Sequence, residues 1–365
     1  MQIKRVLGDK HVTPSKPKTL DYPPPTRYHL AAMKTLIPLT ALAALVASGS
    51  IHAQTPAFSK PSGYVTKSLS QGFNLVGLSL HPASIASGTF ETVSGTALTD
   101  SGATYAPVAG RTYVLEITSG TLIGTIQEVL AASISGSTIT TPSNLQTLGL
   151  TTSDTYALRL APTLEEIFTT VPLASGGVLV AALSANSADV VWVPTGTGSY
   201  DQYFLHSTSA AFRRAGTTTP TPKVPLVYAD GFLVQKKTTA AASLTVSGNV
   251  KMVGTNSVAA QGFNLLSVVA PVGLNLFNAG LEDDLTAALS ANSADIVWVQ
   301  QPNLTYIQYF RRSGSGAGWR VSGSTTTLTQ AEAEAISLSS GFLIQRKSAT
   351  STNIDLNVPA GYSNL

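Results

Sequence analysis

Residues 181–193 and residues 287–299 agree at twelve of thirteen positions, with only Ile296 standing in for Val190, at an offset of 106. Two stretches this alike must fold alike, so any architecture for the chain has to contain the same unit twice. Three further matches keep the same order around this pair. Gln71-Gly72-Phe73-Asn74-Leu75 returns at 261–265, and Tyr200-Asp201-Gln202-Tyr203-Phe204 returns at 306–310 with one change. Gly231-Phe232-Leu233-Val234-Gln235-Lys236-Lys237 returns at 341–347 with Ile344 and Arg346 substituted. Two long copies predict paired domains; a solenoid or a propeller needs more and shorter repeats.

The copies differ in length. From Gln71 to Ala181 is 110 residues, and from Gln261 to Ala287 is 26, so the first copy carries an 84-residue insertion over about 82–165. That is enough chain for a small module of its own, and its removal is expected to leave flanks that still fold. The predicted layout is a first repeat domain over 62–246, containing the insertion, and a second over 247–362.

The N-terminus reads differently. Met33-Lys34 followed by the apolar run 36–47 and the small residues before Gln54 has the form of a secretory signal peptide over 33–53, too short an apolar run to span a bilayer. Residues 1–32, with a Pro-Pro-Pro run, are expected to be a mis-called upstream extension. Residues 1–53 hold seven of the 22 basic and two of the 19 acidic residues, so their removal leaves 15 and 17, a formal net charge of −2. The basic balance belongs to the leader, and a nucleic-acid partner loses its main support. The chain has no cysteine, hence no disulfide and no thiolate metal site.

Period-two alternation and turn residues predict strands almost throughout. They fall at Gly72–Leu80, at Arg111–Thr118, Leu122–Leu130, Ser133–Thr140 and Asp154–Leu160 in the insertion, and at Val190–Val193, Tyr200–Leu205, Phe232–Lys237 and Ser243–Val250. Val190–Val193 reads as a strand buried on both faces. Two short helices are expected. One follows Thr163, with Glu166 completing a capping box, and the other lies within Leu328–Ile336. The fold class is all-β: two duplicated β-sandwich-like domains, the first carrying an inserted small β-barrel-like module.

The residues with most functional potential are the duplicated aromatics Trp192, Tyr203, Trp298, Tyr309 and Trp319, which could stack on sugar rings if exposed. Core filling is the stronger expectation, because small domains need large side chains inside, and Trp192 and Trp298 should then be equivalent buried positions. Asp189 and Asp295 are expected to bind local backbone N–H groups. Glu282-Asp283-Asp284 reads as a solvated first helical turn. His81 and His206 stand at unmatched places in the repeat and support neither a zinc site nor a triad. No catalytic residue, metal ligand or cofactor site is assigned.

The signal peptide, Gly72–Leu75, Tyr113–Gly124, Asp154–Phe168, Ala188-Asp189, Tyr203-Phe204, Arg213–Gly216 and Asp230–Phe232 together resemble a family of exported β-rich proteins found mainly in verrucomicrobial genomes. The resemblance covers most of 64–246. It implies export and β-structure and carries no assigned activity. The expected function is that of an exported, non-catalytic structural or surface-adhesive β-protein, with surface polysaccharide or other surface proteins as partners and no membrane span after signal cleavage. The alternative is a carbohydrate- or polymer-binding module that uses the duplicated aromatics.

Overall fold

A computed structural model describes residues 61–365 except 197, 222, 339 and 365. The expected signal peptide and upstream extension lie outside the described residues. The chain is all-β, with four α-helices of four or five residues among the described residues.

The first repeat is built on a five-stranded antiparallel sheet in the order Ala211–Arg214, Tyr200–His206, Val190–Pro194, Gly231–Lys236, Gly72–Gly77. The second has the same order in Gly318–Val321, Tyr306–Arg312, Ile296–Gln300, Phe342–Arg346, Gly262–Leu266. The registers coincide as well. Trp192 lies between Gln202 and Leu233, and Trp298 between Gln308 and Leu343. Each sheet covers a two-stranded ribbon, Ser62–Leu69 with Ala242–Asn249 in the first repeat and Thr255–Ala259 with Thr352–Leu356 in the second. Val76, Val191, Val234 and Phe232 of the first sheet share a core with Leu69 and Leu244 of its ribbon. Val297, Ile344 and Phe342 share theirs with Ile354 and Leu356.

The repeated words of the sequence are clips that hold these sheets. Gly72 and Gly262 take φ of 111° and 98°, a region other residues avoid. The next-but-one asparagine then fastens the turn. Asn74, 1% exposed, accepts from Ser70 N and donates to the carbonyls of Ser70, Gly72 and Val234. Asn264 makes the same four bonds to Ala260, Gly262 and Ile344. Gln71 and Gln261 each donate to the carbonyl of Lys237 or Lys347.

The insertion departs from expectation. Its strands form two open four-stranded sheets and no closed barrel among the described residues. One is ordered Ser84–Thr89, Thr155–Leu160, Thr112–Ile117, Ile126–Leu130; the other Thr92–Ser94, Ala97–Thr99, Thr138–Thr140, Ile134–Ser135. A barrel needs a continuous ladder around the ring, and here the end strands of each sheet do not pair with one another. The sheets instead pack face to face over Tyr113, Leu115, Tyr156, Leu158, Leu98 and Ile139. Val114 on the strand Thr112–Ile117 and Ala161 just past Thr155–Leu160 turn the other way and enter the core of the first repeat. The predicted helix after Thr163 forms over Leu164–Phe168 with its capping box, and the second forms over Gln330–Glu334 behind Thr329 and Glu332.

The two five-stranded sheets interlock. Ser267 N donates to Ala229 O, and Lys67 Nζ donates to Ser340 Oγ at 2.7 Å. A Cβ on Gly77 would lie 2.0 Å from Ser340 O, so only glycine permits this approach. Gln300 extends its amide along the edge of the first sheet, with Nε2 donating to Phe73 O and Oε1 accepting from Leu75 N, both at 2.8 Å.

Candidate functional site

The five aromatics divide by sheet face. Side chains alternate along a strand, so Val191 and Val297 point into the cores while Trp192 and Trp298 point away from them. Tyr203, Tyr309 and Trp319 lie inside, at 7%, 5% and 4% exposure. Trp192 and Trp298 occupy equivalent central-strand positions but are half-buried, so this strand is closed on both faces only at Val190 and Val191. Each packs edge-to-face against a partly exposed phenylalanine. Phe73–Trp192 and Phe263–Trp298 both have centroids 5.7 Å apart, at 64° and 63°. The indole nitrogens of all three tryptophans are buried and bond no protein group, so none is offered to a ligand from solvent.

Asp189 and Asp295 serve the fold. Both are fully buried. Asp189 accepts from Val180 N and Lys237 N and pairs with Lys236. Asp295 accepts from Thr286 N and Lys347 N and pairs with Arg346. Glu282–Asp284 lies on the short helix Leu281–Asp284, where Glu282 pairs with Arg311 and Asp284 accepts from Asp355 N. Among the described residues no three His, Asp or Glu side chains are placed to share a metal ion. His206 bonds Ser209. His81 joins a buried cluster at the junction of insertion and repeats, where Arg159 donates to it and also pairs with Glu116. Glu116 pairs in turn with Lys251, whose ammonium lies 5.8 Å from the Tyr228 ring centre. Burial lowers the pKa of Lys251, to about 7, and lowers that of Arg159.

The most open chemistry lies in a cleft that sequence reasoning did not identify. Two adjoining cavities of about 190 and 330 Å³ share the walls Glu128, Pro194, Thr195 and Asp230. Glu128 comes from an edge strand of the insertion, Pro194 and Asp230 from the first repeat, and Phe263–Leu266 of the second repeat forms the far wall. Asp230 is half-buried, and burial first, then the charge of Glu128, raises it to about 7. Burial raises Glu128 too. Neither pairs with a cation among the described residues, whereas Asp201 in the same wall pairs with Arg214 and accepts from Tyr203 Oη.

A second cleft, of about 690 Å³, occupies the equivalent place on the other side of the seam, between Val65–Asn74 of the first repeat and Val299–Tyr309 of the second. By position in the repeats, Pro194 stands where Gln300 does, Asp230 where Ser340 does, and Ser257 where Lys67 does. One cleft is therefore acidic and edge-open, and the other holds a lysine and is plugged by an amide. The signal in the sequence was the mismatch between copies at these positions; Glu128, in the insertion, has no counterpart to compare. No protein family, curated protein or solved structure matches the chain.

Proposed function

We propose that the chain is an exported, duplicated β-protein with a non-catalytic structural or surface-adhesive role, akin to the exported family it resembles. The observation that carries this reading is the use made of the repeated words. Gln71, Gly72, Asn74, Asp189 and Lys236 and their second-copy counterparts are all spent on clips within each sheet. What the two copies share is thus a folding device. The interlocked seam adds stiffness to the tandem, which suits a load-bearing or display unit.

Expression in a secreting host with N-terminal sequencing tests the exported state. The released protein should begin at Gln54, and recovery of residues 1–32 on it would refute the processing. Deleting the gene should then alter surface integrity or attachment while leaving growth on soluble nutrients unchanged.

One observation favours a second reading, a carbohydrate- or polymer-binding module. Phe73 and Phe263 are 41% and 42% exposed and repeat the same pose against Trp192 and Trp298, and two equal patches on one chain would give avidity. Loss of retention on insoluble polysaccharide by Phe73→Ala with Phe263→Ala, at unchanged melting, would favour it.

A further inference from the structure

The edge of an antiparallel sheet exposes backbone N–H and C=O groups that seek partners. In the first sheet the edge strand Gly72–Gly77 satisfies two of them with Gln300, which presents a donor to Phe73 O and an acceptor to Leu75 N. In the second sheet the edge strand Gly262–Leu266 has the same register on its neighbour, so Phe263 O and Leu265 N face outward in the same way. Pro194 stands in the plugging position there and has no side-chain amide to offer. Among the described residues nothing takes its place.

The vacated edge forms one wall of the 330 Å³ cavity, and the unpaired carboxyl groups of Glu128 and Asp230 line the same cavity. An occupant must therefore supply a donor and an acceptor to the edge and a cation to the acidic wall. An N-acetyl sugar cannot copy Gln300, because the N–H and C=O of its trans amide point in opposite directions. A polypeptide in extended conformation presents both groups to one side, as in strand addition. We infer that this cleft binds a short extended peptide segment of a partner protein, its backbone paired to Phe263 O and Leu265 N and a lysine or arginine side chain placed between Glu128 and Asp230. The site is independent of the proposed export and structural role.

The test is a fluorescence-anisotropy titration with a labelled, acetylated hexapeptide alternating serine and lysine, beside serine–glutamine and serine–glutamate versions. Wild-type protein should bind the lysine peptide saturably and the glutamate peptide not at all. Pro194→Gln, which installs the plug found in the other cleft, should weaken binding at least about tenfold, or about 1.4 kcal/mol. Glu128→Gln with Asp230→Asn should weaken the lysine peptide by a similar factor and leave the weaker glutamine peptide unchanged. Gln300→Ala, on the other side of the seam, should leave the lysine peptide's affinity as it was. Melting curves accompany each variant, and if Pro194→Gln misfolds the exposed single change Glu128→Gln decides the charge requirement. Absence of saturable binding by wild type, equal binding of the glutamate peptide, or full affinity after loss of both carboxylates each overturns the inference.

Discussion

Arg346, at the end of one strand of the second sheet, and Asp295, just before the adjoining strand, face each other with Nη1 2.8 Å from Oδ2, at 5% and 0% exposure. Lys236 and Asp189 make the equivalent pair at the same place in the first sheet. Two charges are costly to bury, and the pair persists because every carboxylate oxygen also accepts a backbone N–H. Removing one partner strands the other. Arg346→Ala is expected to destabilise the second repeat by about 3–5 kcal/mol, and Arg346→Lys, the residue of the first copy, by much less. Urea unfolding with an unchanged slope measures both; a small loss for the alanine variant would mean that water reaches Asp295.

Trp298 and Phe342 separate half-burial from full burial. Phe342 is fully buried in the second core, while Trp298 lies on the outward face beside Phe263. Phe342→Ala should cost about 3–5 kcal/mol through cavity formation. Trp298→Ala should cost roughly 1–2.5 kcal/mol, since its ring lies on the outward face and part of its area is already solvated. The order of the two melting shifts is the check. A tryptophan loss as large as the phenylalanine loss would place the indole inside, and lost polysaccharide retention with no melting shift would favour the binding-module reading.

How far the sequence reached follows from which residues carried information. Asn74 and Asp189 recur with their neighbours at fixed spacing, and such repetition exposes a structural clip even before its partners are known. The all-β class followed from alternation and turn residues. The sheets of the insertion were harder, because strands such as Thr92–Ser94 and Ile134–Ser135 are too short to show a period. Whether strands close into a barrel depends on pairing of distant chain ends, which local pattern does not encode. Glu128 and Asp230 meet only because the insertion docks where Thr125 bridges Asn256 of the second ribbon, a long-range contact with no local trace.

Asp230 gives stability a pH dependence of known sign. Its folded value is raised from 3.8 to about 7, so the folded chain binds the extra proton between those limits. Stability from this group is fully present below 3.8 and is lost as pH rises toward 7. Glu128 and Asp201 share the wall, and the charge of Glu128 adds to the effect. Asp230→Asn should flatten the decline of the melting temperature between pH 4 and 7. A decline as steep as in wild type would assign it to another carboxyl group.

The last prediction concerns the insertion, whose removal the chain was expected to tolerate. Val114 and Ala161 are at most 1% exposed and belong to the core of the first repeat. Glu116 and Arg159, on the two strands beside them, hold Lys251 and His81 in the buried junction. Deleting 82–165 would open that core and leave Lys251 without its carboxylate. The core of the second repeat contains no residue of the insertion. The deletion chain should therefore melt in two steps, the first repeat well below the intact protein and the second near it. Fluorescence separates them, because Trp192 lies in the first sheet and Trp298 and Trp319 in the second. A single transition at the original temperature would mean that the first core closes without the insertion.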